Sequence, residues 1–546
     1  MTHIGALPLP GNRTHFRVWA PQRERIGLHI VAPHDERIAL TKTDDGYHEA
    51  IVDGVHAGAQ YLFVVNDREL PDPASRFQPH GVHGPSEVVP REFAWSDGAW
   101  RGITLDDFVI YELHVGTFTD EGTFDAAIDR LDELRELGIT AIELLPIAQF
   151  PGTRNWGYDG VYQFAAQNSY GGPLALKRLV DAAHARGLAV VLDVVYNHLG
   201  PEGNYLAEFG PYFTDRYKTP WGEAINFDGA QSDPVRELFT QSALQWIDEF
   251  HIDALRLDAV HAIIDRSAQP FLEELTSVIH DRRENIFIFA ESNLNDPRVI
   301  TPTANFGLGF DSQWSDDFHH ALHALLTGEQ GGYYQGFGKV SDLARVIETG
   351  YLFTGQHSPY RGRRHGAPPR TKDGAQFVVC AQNHDQIGNR MNGERLSALV
   401  SPEKLRLAAA CVVLAPFIPM LFMGEEYGET APFQYFTSHS DQHLIEAVRR
   451  GRREEFKSFA WKGEAPDPHD EATFQRSRLN WSQRDASLWS HYRDLLRLRR
   501  ETPSLRSLDL NMVSMVADDD AQTLVMKRGD VTITFDFAKG SYSLSK

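Results

Sequence analysis

Cysteine is nearly absent, Cys380 and Cys411 being the only two in 546 residues. That excludes a disulfide framework, and nothing in the chain calls for an oxidising compartment. Positive charge is scarce as well: 53 Lys and Arg face 75 Asp and Glu, a formal net charge of −22. Nucleic acid is thereby excluded as a partner, because binding a polyanion needs Lys and Arg to displace phosphate counterions. No apolar run is long enough for a membrane span. The longest, Ala408 to Met423, is broken by Pro416 and Pro419 and predicts a helix end followed by a buried strand. The opening residues MTHIGALPLPGNRTHF lack a basic segment followed by an apolar stretch, so no secretion signal is expected and a cytoplasmic location is. No metal-ligand cluster stands out, and no GxGxxG follows the first strand of the α/β region, which weakens a dinucleotide-binding reading.

What is present reads as three parts. Residues 15–66 give short alternating segments, FRVWAP, RIGLHIV, YHEAIV and YLFVV, separated by Gly, Asp and Pro at the spacing of a small β-sandwich. LPDPASRFQPHGVHGPSEVV (70–89) is too rich in Pro and Gly for regular structure and predicts a link to the next part. From about residue 106 strand and amphipathic helix alternate, which argues for a parallel sheet. The strands are VIYELHV (109–115), AIELLPI (141–147), AVVLDVVYNH (189–198), LRLDAV (255–260), IFIFAES (286–292), FDSQW (310–314), FVVCAQNH (377–384) and PMLFMGE (419–425). Eight such strands favour an α/β fold of the closed (β/α)8 TIM-barrel type over an open sheet. LWSHYRDLLRLRRE (488–501) predicts the last barrel helix, and TLVMKRGDVTITFDF (523–537) a hairpin turning at Gly529-Asp530. Arg528-Gly529-Asp530 could be taken for an adhesion tripeptide, but the hairpin is the far simpler reading. The expected domains are a sandwich over 1–90, a barrel over 91–505 and a short C-terminal β domain over 506–546.

Four segments, LDVVYNH (192–198), ALRLDAVHAI (254–263), FAES (289–292) and QNHDQIGN (382–389), place acids just past strand runs. In a parallel barrel such positions meet at one rim, where these barrels do chemistry. Arg256 and Asp258 share a strand face, and a guanidinium lowers a neighbouring carboxyl pKa, so Asp258 is expected ionised and nucleophilic. Glu291 ends the apolar run IFIFA, where desolvation raises its pKa and suits it to protonate a leaving oxygen. Asp385 would bind sugar hydroxyls and stabilise a cationic transition state, with His198 and His384 donating to the same sugar. These roles describe a retaining glycosidase. Asp193, inside its strand, is expected to hold Arg256 or a nearby loop. Trp156 and Tyr158, in the Gly-rich loop NWGYDG, are expected as a sugar-stacking platform because core packing looks unfavourable there. Trp314 is even between core and subsite. His319 and His323 have the spacing of a zinc pair but no HExxH glutamate, so no metal is expected. EAVRRGRREEF (446–456) predicts a solvated helix face.

At these segments the chain resembles glycoside hydrolase family 13, the α-amylase family, over almost its whole length. FRVWAP with DPASRFQP is similar to an N-terminal, immunoglobulin-like sandwich of that family, and YELHVGTFTDEGTF (111–124), NWGYDGVYQFAAQNSYGGP (155–173), GPYFTDRYKTPWGEAINFD (210–228), QNHDQIGNR (382–390) and MGEEYGETAPFQYFTSH (423–439) resemble members that act on glucans ending in a trehalosyl unit. The resemblance implies nucleophile, acid/base and stabiliser roles for Asp258, Glu291 and Asp385. It implies substrate contacts at Arg256 and His261, over Asp316, Asp317, Phe318, His319 and His320, and at His384, Gln386 and Asn389. The implied reaction releases trehalose from maltooligosyltrehalose and related α-1,4-glucan oligosaccharides, with no cofactor; the region between Asn197 and the fourth strand is short and lacks the acidic cluster of calcium-dependent amylases, so no calcium site is expected. A glucan branching enzyme is the nearest alternative, disfavoured by QNHDQ in place of the branching-type SHDE. A non-catalytic glucan-binding relative is disfavoured by retention of all three acids.

Overall fold

The computed structural model describes residues 3–369, 371, 373–455 and 464–546. Eight parallel strands close into a barrel in chain order: β1 (Ile110–Leu113), β2 (Ala141–Leu144), β3 (Ala189–Val194), β4 (Ala254–Leu257), β5 (Phe287–Ala290), β6 (Ser312–Trp314), β7 (Phe377–Val379) and β8 (Ile418–Phe422). They are the eight expected runs, the sixth included. Helices cover the outer face of the sheet and side chains fill its interior, which is why the strands read as near-continuous Val, Ile, Leu and Ala. In the helix Gly172–Ala185, for example, Ala175, Leu176, Leu179, Val180 and Ala183 recur every three or four residues and are all buried.

The main helices occupy six of the seven connections and follow the last strand. They are Phe124–Ile128 and Leu131–Leu137 after β1, Gly172–Ala185 after β2, Ser232–Phe250 after β3 and Phe271–His280 after β4. Asp316–Thr327 and Val340–Thr349 follow β6, Pro402–Leu414 follows β7 and Ala486–Glu501 follows β8. Between β5 and β6, however, residues 291–311 return without an α-helix, carrying only a 3-10 turn at Thr303–Asn305.

Register decides what fills the barrel. Glu112 on β1 lies beside Glu143 on β2, and Asp193 on β3 beside Arg256 on β4. The first two strands thus bring two buried acids together, and the next two an acid and a base.

The N-terminal part forms two antiparallel sheets. One orders Gly5–Leu9, Arg13–Trp19, Tyr47–Asp53 and Thr41–Lys42; the other orders Glu36–Ala39, Gly27–Ala32, Gln60–Val65 and Arg68–Leu70. Phe16, Leu28 and Phe63 are fully buried in them. The sandwich docks on the barrel through Trp19, whose ring meets Tyr212 edge-on at 5.2 Å, and through Tyr47 Oη, which donates to Glu237 at 2.9 Å. The segment expected as an irregular link is instead tied down. Ser86–Glu87 adds a short strand to Gln60–Val65, and buried Asp72 accepts from Tyr61 Oη at 2.6 Å while its own N–H donates to Ser86 Oγ at 3.0 Å. Farther on, Asp97 Oδ2 joins His184 Nδ1 at 2.8 Å and His251 Nδ1 at 2.7 Å, with Trp100 and Trp95 stacked on those two rings.

The C-terminal strands Val513–Asp518, Thr523–Arg528, Val531–Asp536 and Ser541–Ser545 form an antiparallel sheet in chain order. Arg528 pairs with Val531 around Gly529-Asp530, the expected hairpin. Arg528 is 1% exposed and donates to the Leu414 carbonyl at 2.7 Å, so an adhesion receptor could not reach it. Among the described residues no helix is long and apolar enough to cross a membrane.

Candidate active site

The site lies past the C-terminal ends of the strands. Asp258 directly follows β4, and its N–H donates to the Val194 carbonyl at 3.1 Å. Glu291 directly follows β5, its N–H donating to the Leu257 carbonyl at 3.0 Å. Between them Ala259 adopts φ 38°, a left-handed conformation that L-residues avoid. This strained turn aims the Ala259 N–H at Glu291 Oε2, 2.7 Å away.

Arg256 binds the acids together. Its fully buried guanidinium places Nη1 2.7 Å from Asp193 Oδ2 and 3.0 Å from Asp258 Oδ1, and Nη2 3.1 Å from Glu291 Oε2. The Trp314 ring centroid lies 4.3 Å from its Cζ, a cation–π contact that puts this tryptophan beside the carboxyl cluster. Asp193 therefore holds Arg256, as expected from its place inside β3.

Burial outweighs the guanidinium at Asp258, whose pKa is raised to about 6, opposite in direction to the expectation. Burial is the largest cause, and the charges of Asp193 and Asp385 add to it against the one guanidinium. Burial also raises Glu291, to about 7, as the apolar run predicted. Asp316 rises to about 8 through burial and the nearby charges of Glu291 and Asp385. Near neutral pH, then, Asp258 is the readiest of these three to ionise and Asp316 carries a proton. Because Glu291 Oε2 accepts from Ala259 and faces Arg256, the proton of neutral Glu291 belongs on Oε1.

Asp385 opens the short helix His384–Gly388, with Oδ1 accepting from Asn389 Nδ2 at 3.3 Å and lying 3.7 Å from His384 Nε2. Burial alone would lower the His384 pKa, but Glu112 and Asp385 raise it to about 9. His384 is thus an imidazolium with Nδ1 on Glu112 and Nε2 2.7 Å from Tyr158 Oη. Its expected donation to a sugar is corrected: both N–H groups are engaged, and its charge stands behind Asp385 instead.

The carboxyls sit where two compartments meet, with Glu291, Asn293, Asp385 and Asn389 lining both. One contains Asp258, Tyr158, His198, His261 and Trp221. The other is walled by Asp316, His320, Tyr333, Tyr360, Arg361 and His365, and Gln386 borders it.

Several expected contacts differ in place or role. Trp156, expected as a sugar-stacking platform, borders the compartment of Asp258 but is only 3% exposed, its ring stacked on Phe433 at 5.2 Å and its Nε1–H donated to the Gln434 carbonyl at 3.0 Å. Its loop is Gly-rich, yet the segment after β8 covers it. Tyr158 does line the cleft, stacked on His384 at 5.2 Å with Oη 2.7 Å from Asp193 Oδ2. His198 lines it too, but burial lowers its pKa to about 4, and the one N–H of the neutral ring goes from Nε2 to the Tyr158 carbonyl at 3.0 Å. No proton remains there for a sugar. Asp317 lines the second compartment, but its Oδ2 accepts from the N–H groups of Leu352 and Phe353 and from Asn295 Nδ2, so it fixes a loop. His319 is buried away from both compartments, stacked on His323 at 5.4 Å, whereas His320 stacks on Tyr333 at 4.8 Å and faces the cleft. The helix Gln442–Glu455 is more than a solvated face, since Arg452 reaches Asn389 Oδ1 at 3.1 Å and the Gly388 carbonyl at 2.9 Å. Phe456, the last residue of that expected run, lies outside the described residues.

Residues not anticipated are Asn293, Tyr333, Tyr360, Arg361, Trp221 and Arg452. Tyr360 and Trp221 had a legible signal, being aromatics in turn-rich stretches, SPYRGRRHG and TPWGE; they are 51% and 47% exposed.

Residues 87–220 match the family description "Alpha amylase, catalytic domain". The chain is 50% identical to the malto-oligosyltrehalose trehalohydrolase of Saccharolobus solfataricus over 89% of this chain and 85% of that one. A crystal structure of a putative α-amylase from Salmonella typhimurium superposes with a TM-score of 0.91 at 38% identity, covering 98% of this chain and 93% of that one. The 1,4-α-glucan branching enzyme of Pseudoalteromonas atlantica is far more distant, at 26% identity over 81% of this chain and 64% of that one.

Proposed function

Because the chain belongs to the malto-oligosyltrehalose trehalohydrolases of the α-amylase family, we propose that Asp258, Glu291 and Asp385 together cleave the α-1,4-glucosidic bond beside a terminal trehalose. The protein is a glycosidase acting on α-glucan oligosaccharides in trehalose formation. The observation that carries the assignment of roles is the grip of one guanidinium on both reacting carboxyls. Asp258 and Glu291 also hydrogen-bond each other through their side chains, which leaves no room for a water between them, the condition for a double displacement with retention.

Asp258 attacks the anomeric carbon while Glu291 passes the Oε1 proton to the leaving oxygen, so the glycosidic bond breaks and an aspartyl ester forms. Water then enters on the same face, gives its proton to Glu291 and frees the sugar. Asp385, backed by the His384 imidazolium, carries negative charge to the oxocarbenium-like transition state. The glucan chain occupies the compartment of Asp258, and trehalose the one walled by Asp316, Tyr333, Tyr360 and Arg361. Proton NMR during the first turnovers should show the freed maltooligosaccharide as the α-anomer. An initial β-anomer would remove Asp258 from its role.

The same assignment fixes a pH profile. Asp258 must be ionised and Glu291 protonated, so kcat/KM should rise through about pH 6 and fall through about pH 7. The two inflections belong to the pair, since both groups share Arg256. A profile flat from pH 5 to about pH 9 would contradict the division of labour.

We divide the chain into domains at 1–90, 91–505 and 506–546 and place it in the cytoplasm. Two buried cysteines left as free thiols support that location.

A further inference from the structure

The β5–β6 connection, where the α-helix is missing, carries the most exposed large apolar side chain among those of the described residues. Phe306 is 94% exposed. It also holds φ 61°, at the position that ends the Thr303–Asn305 turn and that glycine or asparagine ordinarily fills. The turn is closed by the Phe306 N–H on the Thr303 carbonyl at 2.9 Å and the Gly307 N–H on the Pro302 carbonyl at 3.2 Å. Gly307 cannot exchange places with it, because a Cβ there would stand 1.9 Å from the Thr301 carbonyl oxygen. The chain thus keeps a bulky ring at a strained backbone position where folding gains almost nothing from it. Strain of this kind, unrelieved by packing, marks positions kept for binding.

Two grooves flank the ring, of about 420 and 530 Å³. The first has an apolar floor of Ile263, Leu272, Val299 and Leu308, with Asp265 and Arg298 among its polar lining. Its near end is formed by Ser292, next to the acid Glu291, and by His261, which also lines the compartment of Asp258. An aromatic face beside apolar floor and charged edges suits a sugar ring, which has C–H faces and a hydroxyl rim. The continuity through His261 makes the ligand class that of the cleft itself.

We propose that Phe306 is the stacking platform of a second α-glucan site on the outer wall of the barrel, along the groove that ends at His261. The proposal rests on the glucan reading above and adds a place where a chain of a glycogen-like polymer is held outside the cleft. None of the groups assigned to catalysis belongs to it.

Full-length Phe306→Ala, Phe306→Gly and Phe306→Trp are compared with wild type by affinity electrophoresis in glycogen-containing gels and by kinetics on maltotriosyltrehalose. Loss of one stacked ring should weaken glycogen retention about five- to tenfold in the Ala and Gly variants and leave it in place for Trp. kcat/KM on the short substrate should stay at the wild-type value. Phe306→Gly relieves the strained φ, so its melting temperature should hold or rise while retention falls, which separates binding from folding. Unchanged retention in Phe306→Ala would overturn the proposal. So would a concentration-dependent dimer of wild type, seen by light scattering and lost in the variant, because the ring would then belong to an interface between copies. Absence of wild-type turnover on maltotriosyltrehalose would instead strike the glucan reading itself.

Discussion

Maltotriosyltrehalose should be cut to trehalose and maltotriose about 10⁴ times faster, in kcat/KM, than maltopentaose is cut at any bond. Both substrates contain five glucose units and the same scissile linkage, so only the last linkage differs, α,α-1,1 against α-1,4. Chemistry at Asp258 cannot distinguish them, and the discrimination must come from the leaving-group side. That compartment is walled by polar groups: Asp316, held protonated by burial, His320, and Arg361, whose Nη2 donates to the Asn293 carbonyl at 2.8 Å. A pocket built to hydrogen-bond one arrangement of hydroxyls leaves its own groups unpaired when another arrangement enters. Rates on the two pentasaccharides within tenfold of each other would indicate a general amylase, and new α-1,6 branches in amylose a branching enzyme.

Asp258→Ala should abolish turnover to at least the extent expected for Glu291→Gln, about 10²- to 10⁴-fold, with the melting temperature unchanged or raised. The stability half of this expectation comes from the geometry. Asp258 is a buried acid crowded by Asp193, Asp385 and Glu291, with burial pushing its pKa upward. Removing it leaves Arg256 still paired with Asp193 at 2.7 Å and Glu291 at 3.1 Å. No cation is orphaned, and a like-charge conflict is relieved. Turnover above a tenth of wild type in either variant would refute its role, and a collapse in melting temperature would show the carboxyl to be structural.

Much of this was legible in the sequence because a parallel barrel writes its strands as short apolar runs and its chemistry just beyond them. Asp258, Glu291 and Asp385 each stand within a few residues of such a run, and Asp193 inside one, so local pattern was enough to separate them. What escaped depends on contacts between distant parts of the chain. Trp156 sits in a loop that looks exposed until Phe433, from beyond β8, stacks on it. Arg452 belongs to a helix whose mixed charges look solvated, and only the fold carries it to Asn389. The family resemblance grouped His319 with Asp316, Asp317 and His320, but a helix turns successive residues by about 100°, and His319 alone of the four is carried away from the cleft. The sign of the Asp258 shift failed for a different reason. Sequence shows that an arginine is near, but not how deeply the fold buries the carboxyl, which is the largest cause of the shift.

Arg256 has a consequence in time as well as in space. Before reaction its charge is split among Asp193, Asp258 and Glu291. Once Asp258 is esterified to the sugar it is neutral, and the share of the guanidinium it held falls to the remaining two. Glu291 then feels a larger positive field and a smaller negative one, so its proton is held less tightly at the moment it has been given away, and the bare carboxylate persists to deprotonate water. When hydrolysis restores the Asp258 charge, the field reverses and Glu291 takes its proton back. On the mechanism proposed above, one buried cation would thereby keep the two half-reactions in step.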